Sequence, residues 1–184
     1  VHKRVQQAQT RSKRARADIE LLVATKYVSL DEMETLAQAG VRRVGENRAQ
    51  SLLEKHARYQ DQFKWDFIGH LQSRKVKQIA PIVDRIHSLS TYSALAALER
   101  CGDLQLEGLV EVNLADEPTK SGVSVGELED FILRARECVQ LSGLMTMPPA
   151  TEDPQKSRRW FRLLRELADR YQLHHCSMGT SQDF

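Results

Sequence analysis

From residue 21 onward, short apolar runs alternate with longer stretches in which apolar residues recur at spacings of three and four. That alternation is the pattern of β-strands separated by helices around a parallel sheet. The short runs predict seven strands, at 21–25, 43–45, 66–69, 85–89, 108–113, 140–145 and 174–178. Helices are predicted between them at 30–39, 49–59, 73–79, 93–100, 125–137 and 154–171. The last helix carries the fullest signal. Asp153 can cap it, Pro154 suits its first position, and Trp160, Leu164, Leu167 and Tyr171 form one stripe.

Seven strands with intervening helices suit either an open doubly wound sheet or a (β/α)8 TIM barrel. Two features favour the barrel. No glycine-rich GxGxxG turn follows the first strand, and small or polar residues close nearly every strand at its carboxyl end, where barrels assemble their sites. An eighth strand would follow Phe184, so the last βα unit of the barrel is expected to be absent from the chain.

The 184 residues, 41% hydrophobic, suit a single domain over 1–184 with a helical N-terminal segment at about 1–17. A formal charge of +2 with 28% charged residues gives no large field to recruit nucleic acid or an anionic membrane. The basic exception is the segment bearing Lys3, Arg4, Arg11, Lys13, Arg14 and Arg16, which reads as a solvated helical face or as a partner-binding arm. Cys101, Cys138 and Cys176 lack CxxC spacing and point to neither a disulfide framework nor a cysteine zinc site, so a reducing cytoplasm is expected. No apolar run has the length of a membrane span, no signal-peptide h-region follows the basic start, and Val1 stands where an initiator methionine would.

The chemistry starts from Lys26. It ends the run Leu21-Leu22-Val23-Ala24-Thr25, where a buried strand hands over to a loop, and so presents an amine at the barrel mouth. An amine held there can be deprotonated and attack a carbonyl. On the other strand ends lie Glu46-Asn47, Gly69-His70, Ser88, Asn113, Met145 and the turn Ser177-Met178-Gly179-Thr180-Ser181. Barrels frequently bind phosphate in the loops after strands seven and eight, and this turn offers hydroxyls and a glycine backbone. A Schiff base at Lys26 and a phosphate at the turn would hold the two ends of one molecule, and pyridoxal phosphate has an aldehyde and a phosphate. A surface lysine and a helix-capping serine turn are the alternative reading of the same residues.

Six ordered motifs resemble those of the pyridoxal phosphate homeostasis proteins, also called proline synthetase co-transcribed homologues. They are 19–26 ending in Ala24-Thr25-Lys26, Gly45-Glu46-Asn47, Trp65-Asp66-Phe67-Ile68-Gly69-His70, Val112-Asn113 with Lys120-Ser121-Gly122, Gly143-Leu144-Met145 with Pro148-Pro149, and 177–184. The resemblance implies a barrel like the N-terminal domain of alanine racemase, with pyridoxal 5'-phosphate held as an aldimine on Lys26. Asn47 matches a position beside the cofactor and Met145 one near the ring. Ser177, Gly179 and Thr180 match the phosphate-binding turn. It further implies a monomeric protein without known catalysis, acting in vitamin B6 and amino-acid homeostasis, with apo forms of pyridoxal-phosphate enzymes as possible recipients of the cofactor.

The sequence departs from the family at Val28, where many members carry a second lysine. A final strand with an Arg-Ile-Gly motif, whose arginine faces the pyridine nitrogen, is also not found. A racemase or decarboxylase on the same fold is the competing function, and it would require an opposing acid or base from a further domain or subunit. No metal is expected, because His174 and Cys176 lack partners at zinc-ligand spacing.

Overall fold

The computed structural model describes residues 1–11, 19–102, 104–117 and 120–183. An N-terminal helix α1 (His2–Arg11) precedes β1 (Val23–Ala24), α2 (Glu32–Gln38), β2 (Arg43–Glu46), α3 (Ala49–Tyr59) and β3 (Lys64–Phe67). A 3-10 turn leads into α4 (Val76–Ile79), followed by β4 (Arg85–Leu89), α5 (Tyr92–Glu99), β5 (Glu107–Asn113), β6 (Val123–Ser124) and α6 (Leu128–Arg136). The described chain closes with β7 (Gln140–Met145), α7 (Arg158–Arg170) and β8 (His175–Ser177). All seven expected strands are present in their places, and every neighbouring pair is parallel. The expected N-terminal helix runs to Arg11, and its continuation over 12–18 lies outside the described residues.

One element was not legible in the sequence. The two-residue β6 pairs beside the end of β5, Val112 with Val123 and Asn113 with Ser124, and lies off the main path β1-β2-β3-β4-β5-β7-β8. Its two residues give no period to read.

The sheet is curled as in a barrel. In a flat sheet β4 and β8 would stand three strand spacings apart, about 14 Å, yet His87 Nδ1 on β4 lies 2.7 Å from Ser177 Oγ on β8. On the other side, Glu20, leading into β1, reaches Arg85 on β4 at 3.7 Å across β2 and β3. The incomplete barrel that results has β1 and β8 at the two ends of its strand path.

Strand alternation divides the interior chemically. Val44, Trp65, Phe67, Ile86, Val110 and Val112 face the helices and form the core with Leu52, Ile79, Leu95, Leu98, Phe131 and Leu164. The opposite face, the lumen, is polar. Near its base Arg43 bridges Glu20 at 2.8 Å and Asp66 at 2.6 Å, and Arg85 holds Glu107 at 2.8 Å. The carboxylates offset the charge of guanidinium groups that are held largely away from water. The expected cap of the last helical segment is present, with Asp153 accepting from the amide of Gln155 at 3.0 Å and Pro154 at the first position. No described helix is long and apolar enough to cross a membrane.

Candidate functional site

Lys26 lies two residues past β1, whose register with β2 pairs Val23 with Val44 and Ala24 with Gly45. The ladder continues through the amide of Thr25, which donates to the Gly45 carbonyl at 2.9 Å. Thr25 turns to the helix side, where its hydroxyl donates to Glu46 Oε1 at 2.7 Å. Alternation then assigns Lys26 to the lumen side of the strand end, next to Asn47. The lysine is exposed, and its amine lies 4.9 Å from the centre of the Tyr27 ring.

Asn47 directly follows β2 as a half-buried residue whose side-chain oxygen Oδ1 is buried and has no hydrogen-bond partner. A buried amide oxygen without a partner costs free energy unless a ligand or water supplies a donor. The chain above it is fixed by close approach, because a Cβ on Gly69 would stand 2.0 Å from the Asn47 carbonyl oxygen. Ser88 extends the same lock from β4 by donating its hydroxyl to the Gly69 carbonyl.

At the other end of the strand path, register pairs Glu111 with Met145 and Met145 with Ser177. Met145 is buried at 6% exposure and Ser177 is half-buried. The turn beyond Ser177 places Gly179 at φ +88°, the left-handed region that a residue without Cβ adopts freely. Thr180 then closes a hydrogen-bonded turn: its amide and hydroxyl donate to Asp183 Oδ1 at 2.6 and 2.9 Å, and its Oγ1 accepts from the amide of Gln182 at 3.2 Å. Residues 181–183 form a turn, and no helix follows it among the described residues. A phosphate bound by Thr180 would have to displace the Asp183 carboxylate.

The six sequence-assigned residues thus fall into two groups, Lys26 with Asn47 just past β1 and β2, and Met145, Ser177, Gly179 and Thr180 on β7, β8 and the turn after it. Glu46 and His70, which also lie at strand ends, do not join them. Glu46 is fully buried on the helix side with Lys55, and His70 is exposed. Lys120 is paired with Glu117 at 3.1 Å, and Ser121 donates to Glu111 at 2.6 Å. His174 and His175 are exposed, and no group of three or more metal-ligating side chains occurs among the described residues.

Sequence reasoning missed a buried chain of three groups below the turn. Asp66 Oδ2 lies 2.8 Å from His87 Nε2, and His87 Nδ1 lies 2.7 Å from Ser177 Oγ. Asp66 is fully buried and His87 is 4% exposed. The available signal was an ionisable residue inside each strand run, Asp66 between Trp65 and Phe67 and His87 after Ile86. Two surface clefts, of about 490 and 650 Å³, open elsewhere, around Cys138 and around Asp84, and neither includes a sequence-assigned site residue.

A curled parallel sheet with a polar lumen and a lysine on its first strand end defines a (β/α) barrel of the alanine racemase N-terminal-domain type. Alanine racemase from Corynebacterium glutamicum superposes with a TM-score of 0.59 over 84% of this chain and 46% of that one, at 13% identity. PipY of Synechococcus elongatus PCC7942, in a structure without PLP, superposes with a TM-score of 0.78 at 25% identity, covering 97% of this chain and 90% of PipY. PipY with PLP bound gives a TM-score of 0.76 at 24% identity over 98% of this chain and 89% of that one. In sequence the chain is 36% identical to the pyridoxal phosphate homeostasis protein of Aquifex aeolicus strain VF5 over 196 aligned residues, spanning 100% of this chain and 86% of the relative. No family model matches. The chain belongs to the pyridoxal phosphate homeostasis protein family.

Proposed function

We propose that this protein binds pyridoxal 5'-phosphate through a Schiff base on Lys26 and serves as a non-catalytic carrier in vitamin B6 and amino-acid homeostasis. The observation that carries the reading is an exposed amine just past β1 together with a buried, unpartnered Asn47 Oδ1 just past β2, the strand that β1 pairs with. The cofactor supplies an aldehyde that condenses with a neutral primary amine and loses water. Lys26 supplies that amine, and Asn47 supplies a fixed acceptor toward a hydroxyl of the ligand. Met145 offers an apolar surface to the ring, Ser177 and Gly179 offer donors to the phosphate, and Thr180 adds its own where the phosphate displaces Asp183. PipY, a structural neighbour solved with PLP bound, supports the same ligand for this chain.

Apo forms of pyridoxal-phosphate enzymes are the proposed recipients. A monomer located in the cytoplasm is the simplest carrier. The test is borohydride reduction after mixing with pyridoxal 5'-phosphate, followed by intact mass and peptide mapping. One reduced adduct mapped to Lys26, and none in Lys26→Ala, is the expected result. An adduct that persists in Lys26→Ala overturns the assignment. Incubation of the loaded protein with amino acids should leave their chirality and carboxyl groups intact, and racemised or decarboxylated product would establish an enzyme instead.

A further inference from the structure

The chain Asp66–His87–Ser177 decides which way the Ser177 hydroxyl points. A carboxylate only accepts hydrogen bonds, so Asp66 Oδ2, 2.8 Å from His87 Nε2, requires the proton of that nitrogen. In neutral His87, Nδ1 is then an acceptor, and Ser177 must donate its hydroxyl proton to it across 2.7 Å. Ser177 consequently presents only lone pairs to the turn above, the wrong polarity for an anion. In protonated His87, Nδ1–H donates to Ser177 Oγ and the serine proton is released toward the turn.

We propose that Asp66 and His87 are positioning residues for Ser177, and that a phosphate monoester binding at the Ser177 turn draws one proton from solvent onto His87 Nδ1. This rests on the cofactor reading above and adds to it a proton requirement at the phosphate end. The proton balance is simple. Solvent gives one proton to Nδ1, Ser177 rotates its own proton from His87 to the phosphate oxygen, and no covalent bond changes.

The groups around His87 are consistent with this linkage. From β3, Asp66 places a fully buried carboxylate 2.8 Å from His87 Nε2, and Arg43 from β2 lies 2.6 Å from Asp66 Oδ1. Arg85, on β4 itself, is held by Glu107 of β5 at 2.8 Å, and Glu111 of β5 accepts from Ser121. From β8, His175 is held below the ordinary imidazole range by burial and by Arg85. β7 brings no titratable side chain between Gln140 and Met145. In the binding equilibrium the incoming phosphate adds the charge that favours the protonated form.

The test compares pyridoxal 5'-phosphate with pyridoxal, which keeps the aldehyde and lacks the phosphate. Proton uptake is measured by calorimetry in buffers of different ionisation heat at about pH 8, where an ordinary histidine is neutral. Wild type should take up close to one proton more per bound pyridoxal 5'-phosphate than Ser177→Ala or His87→Asn, and the difference between proteins cancels the ligand's own ionisation. With pyridoxal the three proteins should agree. The affinity ratio of pyridoxal 5'-phosphate to pyridoxal should fall about ten- to a hundredfold in Ser177→Ala, as expected for a lost hydrogen bond to a charged group.

Equal proton uptake in all three proteins, or a His87-dependent uptake with pyridoxal as well, overturns the proposal. Ser177→Ala alters only a hydroxyl on a half-buried residue, so it decides the matter even if His87→Asn does not fold. If neither aldehyde can be fixed to Lys26 by borohydride, the cofactor reading fails. Fixation with unlinked protons fails the proton linkage alone.

Discussion

Lys55 Nζ lies 2.5 Å from Glu46 Oε1 and 2.8 Å from the Thr25 carbonyl oxygen, so a buried ion pair from α3 and β2 anchors the residue that precedes Lys26. Glu46 is fully buried and Lys55 is 6% exposed. The second carboxylate oxygen of Glu46 has no partner, so the pair leaves one acceptor unmet. Breaking a buried pair strands the remaining charge, at a cost of about 3–5 kcal/mol. Lys55→Met should therefore lower the urea midpoint strongly. Lys55→Met combined with Glu46→Gln should be milder than the single variant, since no carboxylate is then stranded. Equal stability of Lys55→Met and wild type would show that the pair holds nothing.

Gly69 is the tightest approach between β3 and the strand end that carries Asn47. A methyl there would lie 2.0 Å from the Asn47 carbonyl oxygen and 2.6 Å from its Cα, both backbone atoms that cannot rotate away. Gly69→Ala should cost at least about 1–3 kcal/mol, as overpacking against fixed atoms does. It should also displace Asn47 and weaken ligand binding. Gly126→Ala is the control, because a Cβ there meets nothing within 4 Å. Its stability should stay within about 0.5 kcal/mol of wild type. Denaturant titration of the two variants side by side gives the comparison.

His56 makes stability depend on pH. Burial pushes its imidazole below the ordinary range, against the pull of Asp61 and Asp84, and its ring meets Trp65 edge-on at 5.5 Å between centroids. A histidine depressed in the fold binds its proton more weakly than in the unfolded chain. Its contribution is therefore complete above the unfolded value of about 6.5 and is lost as pH falls through the lower folded value. Acid should destabilise the protein below about pH 6.5, and His56→Gln should flatten part of that slope. His175, depressed by burial and by Arg85, keeps a residual acid limb in the single variant. A pH series of urea midpoints for both proteins measures the difference, and identical slopes would rule His56 out.

The strand runs and helix stripes were legible because each is a local period. Val44, Trp65 and Phe67 had to face helices, and Leu164 and Leu167 had to share a helical face, whatever the rest of the chain did. Lys26, Asn47, Met145 and Ser177 were legible for a related reason, since each closes or directly follows an apolar run, and strand carboxyl ends in a barrel share one rim. Thr180 was readable in two ways, as a phosphate donor and as a helix cap. The structure shows its amide and hydroxyl held by Asp183, three residues on, in a turn that no described helix follows. The short β6 was invisible because its pairing depends on β5 lying alongside.

The sequence by itself determined the order and kind of elements, the polar strand ends and the place of the amine, because hydrophobic period and strand termination are properties of neighbours along the chain. Only the tertiary structure decided that Asp66, His87 and Ser177 touch, although 21 and 90 residues separate the successive pairs, and that Lys55 reaches under Thr25 from 30 residues away. Those contacts arise from the curl of the sheet and the packing of α3 against β1 and β2, which bring together polar groups that must find partners once removed from water.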